Sequence, residues 1–392
     1  MTDDIVIVAA RRTPTGALAG ALSGARGPDL GATAIRAAVE AAGVSPDRVN
    51  EVIMGCVLPA GVGQAPARQA GRGAGLPDST PCTTINKVCG SGMKATMLAH
   101  DLLKAGSADV AVAGGMESMS QSPYLLPKAR QGMRMGHGEV IDHMLLDGLE
   151  DAYGAGLMGS VAQKTADEYK LTREDMDAFA IESVKRAQAA VNSGAFKNEI
   201  APVTIKDRKG ETVVDTDEPP MRANIDKIPG LRPAFAKDGT LTAANSSSIS
   251  DGAAALVLMR ASDAQAQGLK PMARIAAHAT HARLPAEFTI APIGAIQKAL
   301  DKAGWQAGDV DCYEINEAFA MVTMLAQREL DLDPARVNVH GGACALGHPI
   351  GASGARILVT LLHALQTRGK KRGLASLCIG GGEATAMAVE LL

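Results

Sequence analysis

A stretch of the first half of the chain recurs in the second half. Residues 34–49 (AIRAAVEAAGVSPDRV) align without a gap with residues 295–310 (AIQKALDKAGWQAGDV), and six positions are identical. Each copy has the pattern of an amphipathic helix with a glycine stop, followed by a strand over 51–55 or 312–315. The repeat therefore predicts two α/β units of one topology.

The correspondence continues downstream in the same order. Ser91-Gly92 opens one apolar-periodic helix, and Ser353-Gly354 precedes another over 355–365. After each helix comes an apolar strand that is followed by glycines and a glutamate, over 110–117 in the first half and 374–383 in the second. Several matches in one order indicate a duplicated α/β unit.

Reactive or polar residues stand where the two halves differ. The aligned pairs are Cys89 with Gly351, Cys378 with Val112, and Asn316 with Gly55. His348 lies in the turn just before Gly351, opposite the turn that holds Cys89. In α/β sheets ligands bind at the rim where strands end, so we expect these four side chains to share one site.

The segment between the halves breaks the pattern. Residues 119–245 are rich in Met, Gly and Pro and contain a predicted helix over 173–192. We interpret them as an inserted lid or loop domain, with 1–118 plus 246–270 as the first half and 271–392 as the second. The apolar run 253–259 is predicted to return to the first sheet. The loop 131–137 is either an oligomer contact or a plain surface loop.

Bulk properties exclude several classes of function. A formal net charge of -3 and a pI near 6.3 argue against general nucleic-acid or membrane-surface binding. Six cysteines in 392 residues have neither disulfide-framework density nor metal-ligand spacing, so we expect reduced thiols, no metal and a cytoplasmic location. We also expect no signal peptide and no membrane span.

Cys89 is the candidate nucleophile, because it enters a Gly-Ser-Gly turn at the start of a helix. Unpaired N–H groups and the helix dipole favour thiolate there. His348, in a Gly/Pro turn, suits a base, and Cys378 could carry a proton. Glycines after Cys378 can offer N–H groups to an oxyanion, and Asn316 could hold a water or a carbonyl.

Each residue also has an ordinary structural interpretation. Free cysteines are commonly buried and inert, which applies to Cys89 and most directly to Cys378 in its apolar strand. His348 could serve its turn alone, and Asn316 could cap a helix that starts near Glu317.

Five motifs together resemble the thiolase family over essentially the whole chain. They are Asn86-Lys87-Val88-Cys89-Gly90-Ser91-Gly92, Gly114-Gly115-Met116-Glu117-Ser118-Met119, Asn316-Glu317-Ala318-Phe319, Gly347-His348-Pro349-Ile350-Gly351 and Cys378-Ile379-Gly380-Gly381-Gly382. The resemblance implies the thiolase fold, with duplicated α/β units in a five-layer αβαβα arrangement. It also implies a homotetramer, coenzyme A thioesters as substrates and no prosthetic group. The likeness is greatest to members that reversibly join two acetyl-CoA into acetoacetyl-CoA.

The resemblance also implies roles for individual residues. Cys89 becomes the acylated nucleophile and His348 takes its proton, while Cys378 acts as acid and base on the second substrate. Asn316 would hold a water that contacts the enolate oxygen, and the N–H groups of Cys89 and Gly380 would form an oxyanion hole. The residues implied for the pantetheine and nucleotide parts of coenzyme A are Met158, Arg222, Phe235, Ala243, Ser247, Ala318 and Phe319.

Three segments depart from the family pattern and leave the acyl chain length open. Leu157 stands where a His usually precedes Met-Gly, 288–292 read FTIAP, and 320–322 read AMV. The rival functions are a thiolase for longer or branched 3-ketoacyl-CoA, a decarboxylating condensing enzyme of the same superfamily, and a non-catalytic CoA-binding protein.

Overall fold

The computed structural model describes residues 3–208 and 210–392. The strands are β1 (Ile5–Arg12), β2 (Gly16–Ala17), β3 (Glu51–Gly55), β4 (Cys82–Ile85), β5 (Val110–Ser118), β6 (Tyr124–Leu125), β7 (Ile141–Asp142), β8 (Glu150–Asp151), β9 (Gly156–Leu157), β10 (Val203–Asp207), β11 (Gly210–Val214), β12 (Ser250–Arg260), β13 (Ala273–Ala282), β14 (Cys312–Ile315), β15 (Arg372–Ile379) and β16 (Glu383–Leu391). The helices are α1 (Gly27–Ala42), α2 (Pro66–Gly73), α3 (Ser91–Lys104), α4 (Met158–Glu168), α5 (Arg173–Ser193), α6 (Glu218–Arg222), α7 (Ala261–Ala266), α8 (Ala291–Ala303), α9 (Ala320–Glu329), α10 (Ala343–Leu346) and α11 (Ile350–Thr367).

The sheet topology confirms the internal repeat. The strand order is β4-β3-β5-β12-β1 in the first half and β14-β15-β16-β13 in the second, and the two half-sheets are joined where β1 pairs with β13. Within each half the strands follow one pattern: β3 and β5 pair in parallel as β14 and β15 do, and a returning antiparallel strand, β12 or β16, follows. Val337 forms an isolated bridge to β14, at the place that β4 occupies beside β3.

The helices and sheets stack in five layers around three hydrophobic cores, the middle one of which lies on both sides of the central helices. Helix α1 packs on one face of the first sheet through residues such as Leu30 and Ile35. Helix α8 packs on the outer face of the second sheet through Ile296 and Leu300. Helices α3 and α11 lie between the sheets and share one core with both of them. Alternation within β1 serves two cores at once, because Ile5 and Ile7 face the central layer while Val6 and Val8 face α1.

The two central helices touch backbone to backbone. A Cβ on Gly92 would lie 2.7 Å from the backbone nitrogen of Ala355, and a Cβ on Gly354 would lie 2.4 Å from that of Met93. The two contacts are mates under the repeat, since Gly354 lies 262 positions after Gly92 and Ala355 lies 262 positions after Met93. Only residues without a side chain permit this approach, so the glycines set the distance between the halves.

Strand register corrects part of the sequence alignment. Met54 pairs with Gly114 and Ile315 pairs with Ser376, so Cys378 occupies the place of Met116 and not that of Val112. The glutamates that follow the glycines are not equivalent either. Glu117 lies inside β5 and corresponds to Ile379 at the end of β15, whereas Glu383 begins β16 four residues later.

The sequence also placed the start of one central helix too late. Helix α11 begins at Ile350, so Ser353 and Gly354 lie inside its first turns and do not precede it. Pro349 precedes the first helical residue, and its carbonyl accepts from the backbone N–H of both Ala352 and Ser353. The Ser353-Gly354 pair therefore marked a close helix contact, and not a helix boundary.

The remaining predicted elements agree with the structure. Strand β12 includes the run 253–259 and pairs with β1 and β5, and α5 covers the predicted helix over 173–192. Residues 119–249 connect β5 to β12 through short hairpins and helices α4 to α6. No helix in the described part of the chain is both long and apolar enough to cross a bilayer.

The helix contact predicts the effect of an added methyl group at Gly354. Gly354→Ala should lower the free energy of unfolding by about 1–3 kcal/mol, because the new Cβ meets the backbone of α3. Urea unfolding at fixed protein concentration measures the change. Gly308→Ala is the matched control, since a Cβ there meets nothing within 4 Å. Equal stability of the two variants would contradict the contact.

Candidate active site

A short polar network holds the turn that carries Cys89. The side chain of Asn86 accepts a hydrogen bond from the N–H of Val88 at 2.8 Å. Ser91 Oγ accepts from the N–H of Lys87 at 2.8 Å and donates to the carbonyl of Val88 at 2.6 Å. Val88 has a φ of 45°, which is unusual for a β-branched residue. The turn therefore stores backbone strain directly before the nucleophile.

Burial governs the charge of Cys89 more than the helix terminus does. Its side chain is half-buried, and desolvation raises the pKa of the thiol to about 11, although N–H groups of Gly380 and of Cys89 itself favour the thiolate. The N–H groups act in the direction expected from the sequence, but desolvation is the larger effect. The hydrogen bonds offset only part of the desolvation cost. Cys89 rests as a thiol.

His348 is held in the second turn by its backbone and by one ring nitrogen. Its N–H donates to the carbonyl of Ser248 at 3.1 Å, and Gly347 before it has a φ of 89°. Ring nitrogen Nδ1 lies 2.6 Å from Ser353 Oγ, and that hydroxyl lies 2.9 Å from the carbonyl of Pro349. The hydroxyl donates its one proton to the carbonyl, so Nδ1–H donates to the hydroxyl.

This arrangement leaves the other ring nitrogen of His348 as a free acceptor. Nε2 is buried and has no hydrogen-bond partner among the described residues. Desolvation, together with the nearby Arg356 guanidinium, lowers the pKa of His348 to about 3. The imidazole is therefore neutral at rest, with the lone pair of Nε2 available to receive a proton.

Asn316 lies beside the imidazole and does not cap a helix. Helix α9 begins at Ala320 with Phe319 as its cap residue, which rules out the capping interpretation. The Asn316 side chain is buried, and its Nδ2 lies 3.5 Å from His348 Nδ1. Its Oδ1 has no partner in the described part of the chain. Two unpartnered polar atoms, from Asn316 and His348, are thus buried within one small region.

The end of β15 brings Cys378 and Gly380 to the Cys89 turn. The backbone N–H of Gly380 favours the thiolate form of Cys89, and the charge of a Cys89 thiolate raises the pKa of Cys378. Desolvation is the larger cause and holds the pKa of Cys378 well above that of an ordinary thiol. Both cysteines are therefore protonated at rest and close enough to interact electrically.

An apolar cluster surrounds Cys378 and contains most of the residues implied for pantetheine. The predicted members it includes are Met158, Phe235, Ala318 and Phe319. The Phe235 and Phe319 rings meet edge to face with centroids 6.0 Å apart. The segments that depart from the family pattern supply further members, which are Phe288, Ile290, Ala320, Met321 and Val322. The departures therefore adjoin the candidate site.

The other three residues predicted to bind coenzyme A are not members of this apolar cluster. The Ser247 N–H donates to the carbonyl of Ala318 at 2.9 Å, which places Ser247 beside the cluster. Ala243 is exposed in the loop before it. Arg222 ends α6, is 60% exposed and pairs with Glu218 at 3.3 Å, and no described contact joins it to the cluster. Its role stays a prediction.

Glu117 is a buried residue to which the sequence analysis assigned no role. Its carboxylate accepts from the N–H groups of Val57, Leu58 and Gly351, at 2.9, 3.1 and 2.9 Å. It thereby ties the loop after β3 to the start of α11. Desolvation outweighs these bonds and raises the pKa of Glu117 to about 7. An acidic residue inside an apolar strand was the available signal.

Ser353 and Arg356 are the other residues that sequence reasoning missed. They lie three positions apart on α11, and Arg356 is buried 3.8 Å from Glu314. Ser353 was noted only as a repeat mate of Ser91. A buried Arg in an otherwise apolar helix was the signal for the second residue.

Family models and sequence relatives of this chain all point to thiolases. A family model described as "Thiolase, N-terminal domain" matches residues 5–262, and one described as "Thiolase, C-terminal domain" matches 269–391. The chain is 52% identical to "Acetyl-CoA acetyltransferase" of Pseudomonas aeruginosa over 98% of both proteins. It is 51% identical to the protein of that name from Cupriavidus necator over 99% of both.

A solved structure agrees with these relatives. The crystal structure of the Bacillus anthracis acetyl-CoA acetyltransferase superposes with a TM-score of 0.97 at 43% identity. The match covers 100% of this chain and 99% of that one. The expected five-layer fold is confirmed.

The raised pKa of Cys89 predicts how its alkylation depends on pH. Below about pH 11 the thiolate fraction grows about tenfold per pH unit. The rate of iodoacetamide labelling should therefore keep rising from pH 7 to pH 10, as measured by mass spectrometry of the peptide that contains Cys89. A rate that levels off near pH 7 would show a resting thiolate and contradict the burial argument.

Proposed function

Because the chain belongs to the thiolase family, we propose that it is an acetyl-CoA C-acetyltransferase that reversibly condenses two acetyl-CoA into acetoacetyl-CoA and CoA. The observation that carries the proposal is that Cys89 lies beside Cys378 and His348 beside Asn316, while Cys89 packs against the apolar cluster of Ile350, two residues after His348. Relatives that carry this name are about half identical over their full length. Substrates are accordingly coenzyme A thioesters.

The first step acylates Cys89. Its Sγ attacks the thioester carbonyl while its proton moves to Nε2 of His348, the unpartnered acceptor. The N–H groups of Cys89 and Gly380 stabilise the oxyanion, and both already favour negative charge at this site. Cys378 gives its proton to the departing CoA thiolate. The products are an acetylated Cys89, a Cys378 thiolate, a His348 imidazolium and free CoA.

The second step forms the carbon–carbon bond. The Cys378 thiolate takes a proton from the α-carbon of a second acetyl-CoA, and its raised pKa makes it a strong base. His348 and an Asn316-held water stabilise the enolate oxygen. The α-carbon attacks the acetyl group, and the Cys89 thiolate leaves and recovers its proton from the imidazolium. All three groups return to their resting states.

The proposal extends to cofactors, assembly and location. Two thiols and an imidazole supply every proton transfer above, so the proposed reaction uses no prosthetic group. The segment from Tyr124 to Val140 exposes several large apolar side chains, among them Met133 and Met135, which supports a contact between copies in a homotetramer. Reduced thiols support a cytoplasmic location.

One feature favours a second candidate, a thiolase for longer acyl chains. Leu157 cannot donate a hydrogen bond to the thioester as the family's usual His does. Phe288 and Val322 also make the region around Cys378 strongly apolar. Apolar walls reward longer acyl chains by about 1–3 kcal/mol per methylene at most.

The proposed function is tested by thiolysis of acetoacetyl-CoA against thiolysis of 3-ketohexanoyl-CoA and longer homologues. We expect a higher kcat/KM for the four-carbon substrate, with acetyl-CoA as the product. A preference for the longer substrates would favour the second candidate. Activity on none of them would favour a non-catalytic CoA-binding protein. Acceptance of acetyl-CoA without malonyl-CoA in the reverse direction excludes a decarboxylating enzyme.

The hydrogen bond from His348 to Ser353 predicts a positioning role for this serine. Ser353→Ala should lower kcat about tenfold to a hundredfold, because a buried Nδ1–H loses its partner and the tautomer is no longer held. The KM for CoA should stay unchanged. Thr96→Ala is the matched control, since Thr96 bonds a carbonyl four residues earlier on α3 without touching an imidazole. Equal kcat in both variants would contradict the role.

A further inference from the structure

Two histidines and an aspartate from different halves meet away from the candidate active site. His100 and Asp101 lie near the end of α3, and His278 lies on β13. His100 is roughly 14 Å along the helix axis from Ser91, where α3 begins beside the Cys89 turn. The side chains of His100 and His278 are 15% and 16% exposed, and that of Asp101 is 56% exposed. The cluster therefore opens to solvent.

The three donor atoms form a nearly regular triangle. His100 Nδ1 lies 2.9 Å from Asp101 Oδ1, His278 Nε2 lies 3.1 Å from the same oxygen, and the two nitrogens are 3.2 Å apart. Ligands about 2.0 Å from a tetrahedral zinc ion lie about 3.3 Å from one another. The triangle thus has almost the size of one face of a zinc coordination tetrahedron.

Hydrogen bonds alone do not satisfy all three contacts. An ionised carboxylate only accepts, so both imidazole nitrogens must donate to Asp101. The contact between His100 and His278 is then donor against donor. If either nitrogen is an acceptor instead, its contact with the carboxylate becomes acceptor against acceptor. A cation inside the triangle satisfies all three lone pairs together.

We propose that His100, Asp101 and His278 bind a divalent transition-metal ion of the zinc type. Two imidazoles and one carboxylate are a donor set that zinc and cobalt accept, and the exposed side leaves a fourth position for water. The nearby Lys302 ammonium, which donates to the backbone carbonyl of His278 at 3.0 Å, weakens the site without blocking it. The ion joins helix α3 of the first half to strand β13 of the second.

The metal's effect is on stability and not on the chemistry. An ion that binds only the folded protein raises its unfolding temperature in proportion to the logarithm of the metal concentration. Because the ligands come from both halves, unfolding either half releases the ion. The thiolysis rate without metal should not change when His278 is replaced, since none of the three residues belongs to the candidate active site.

The test uses untagged protein freed of metal with a chelator and titrated with Co²⁺ under reducing, chelator-free conditions. Tetrahedral Co²⁺ has ligand-field bands that report the geometry, and a thiolate-to-metal band would reveal binding at a cysteine instead. We expect one Co²⁺ per chain without a thiolate band, displaced by Zn²⁺. Zn²⁺ should also raise the unfolding temperature of the wild type.

Variants separate this site from binding elsewhere. His278→Asn and Asp101→Asn should weaken Co²⁺ binding by more than about tenfold and abolish the thermal shift. His281→Asn, three residues along β13, is the matched control and should bind as the wild type does. Equal binding by His278→Asn and the wild type overturns the proposal. So does wild-type binding weaker than about 1 mM, or a thiolate band as the main signal.

Discussion

The backbone contact between helices α3 and α11 is the constraint on which the rest of the structure depends. Each helix begins just after one of the two turns that hold the reactive groups: Cys89 before α3 and His348 before α11. Because Gly92 and Gly354 let the helices touch, the distance between these turns follows from the packing of the central layer. Glu117 makes a second connection between the halves, since this first-half carboxylate accepts a hydrogen bond from the N–H of Gly351 in the second half.

Desolvation then decides how the site can work. The same burial that brings Cys89, Cys378 and His348 together makes their charged forms costly, so the pKa values move toward neutral thiols and a neutral imidazole. Both cysteines are therefore protonated before the substrate binds. Charge develops only as a proton moves between groups already in place, and preorganised N–H groups are most effective in such a dry site. The Ser353 hydroxyl, by holding Nδ1–H, decides which ring nitrogen can take part.

A duplicated fold has produced a site that is not duplicated. The first half supplies the nucleophile and its strained turn, and the second supplies His348, Asn316 and Cys378. Position 86 of the first half is the repeat mate of His348 and holds an asparagine, which supports Val88 and does no proton transfer. Divergence at matched positions thus divided the tasks between two copies of one scaffold.

The sequence alone determined the repeat, most strands and helices of the repeated units, and the family, and it singled out the four candidate reactive residues. These signals are local: periodicity, glycine stops and reactive residues in turns survive in a one-dimensional pattern. Prediction from the sequence failed for features that depend on contacts between residues far apart in the chain. The strand register shows that Cys378 corresponds to Met116 and not to Val112. Register depends on pairing between strands that are far apart in the sequence, so the sequence pattern did not reveal it. Only the tertiary structure showed that burial outweighs the backbone N–H groups at Cys89, that Ser353 holds His348, and that His100, Asp101 and His278 form a triangle. Each of these depends on distances between side chains from separate elements, and folding alone sets those distances.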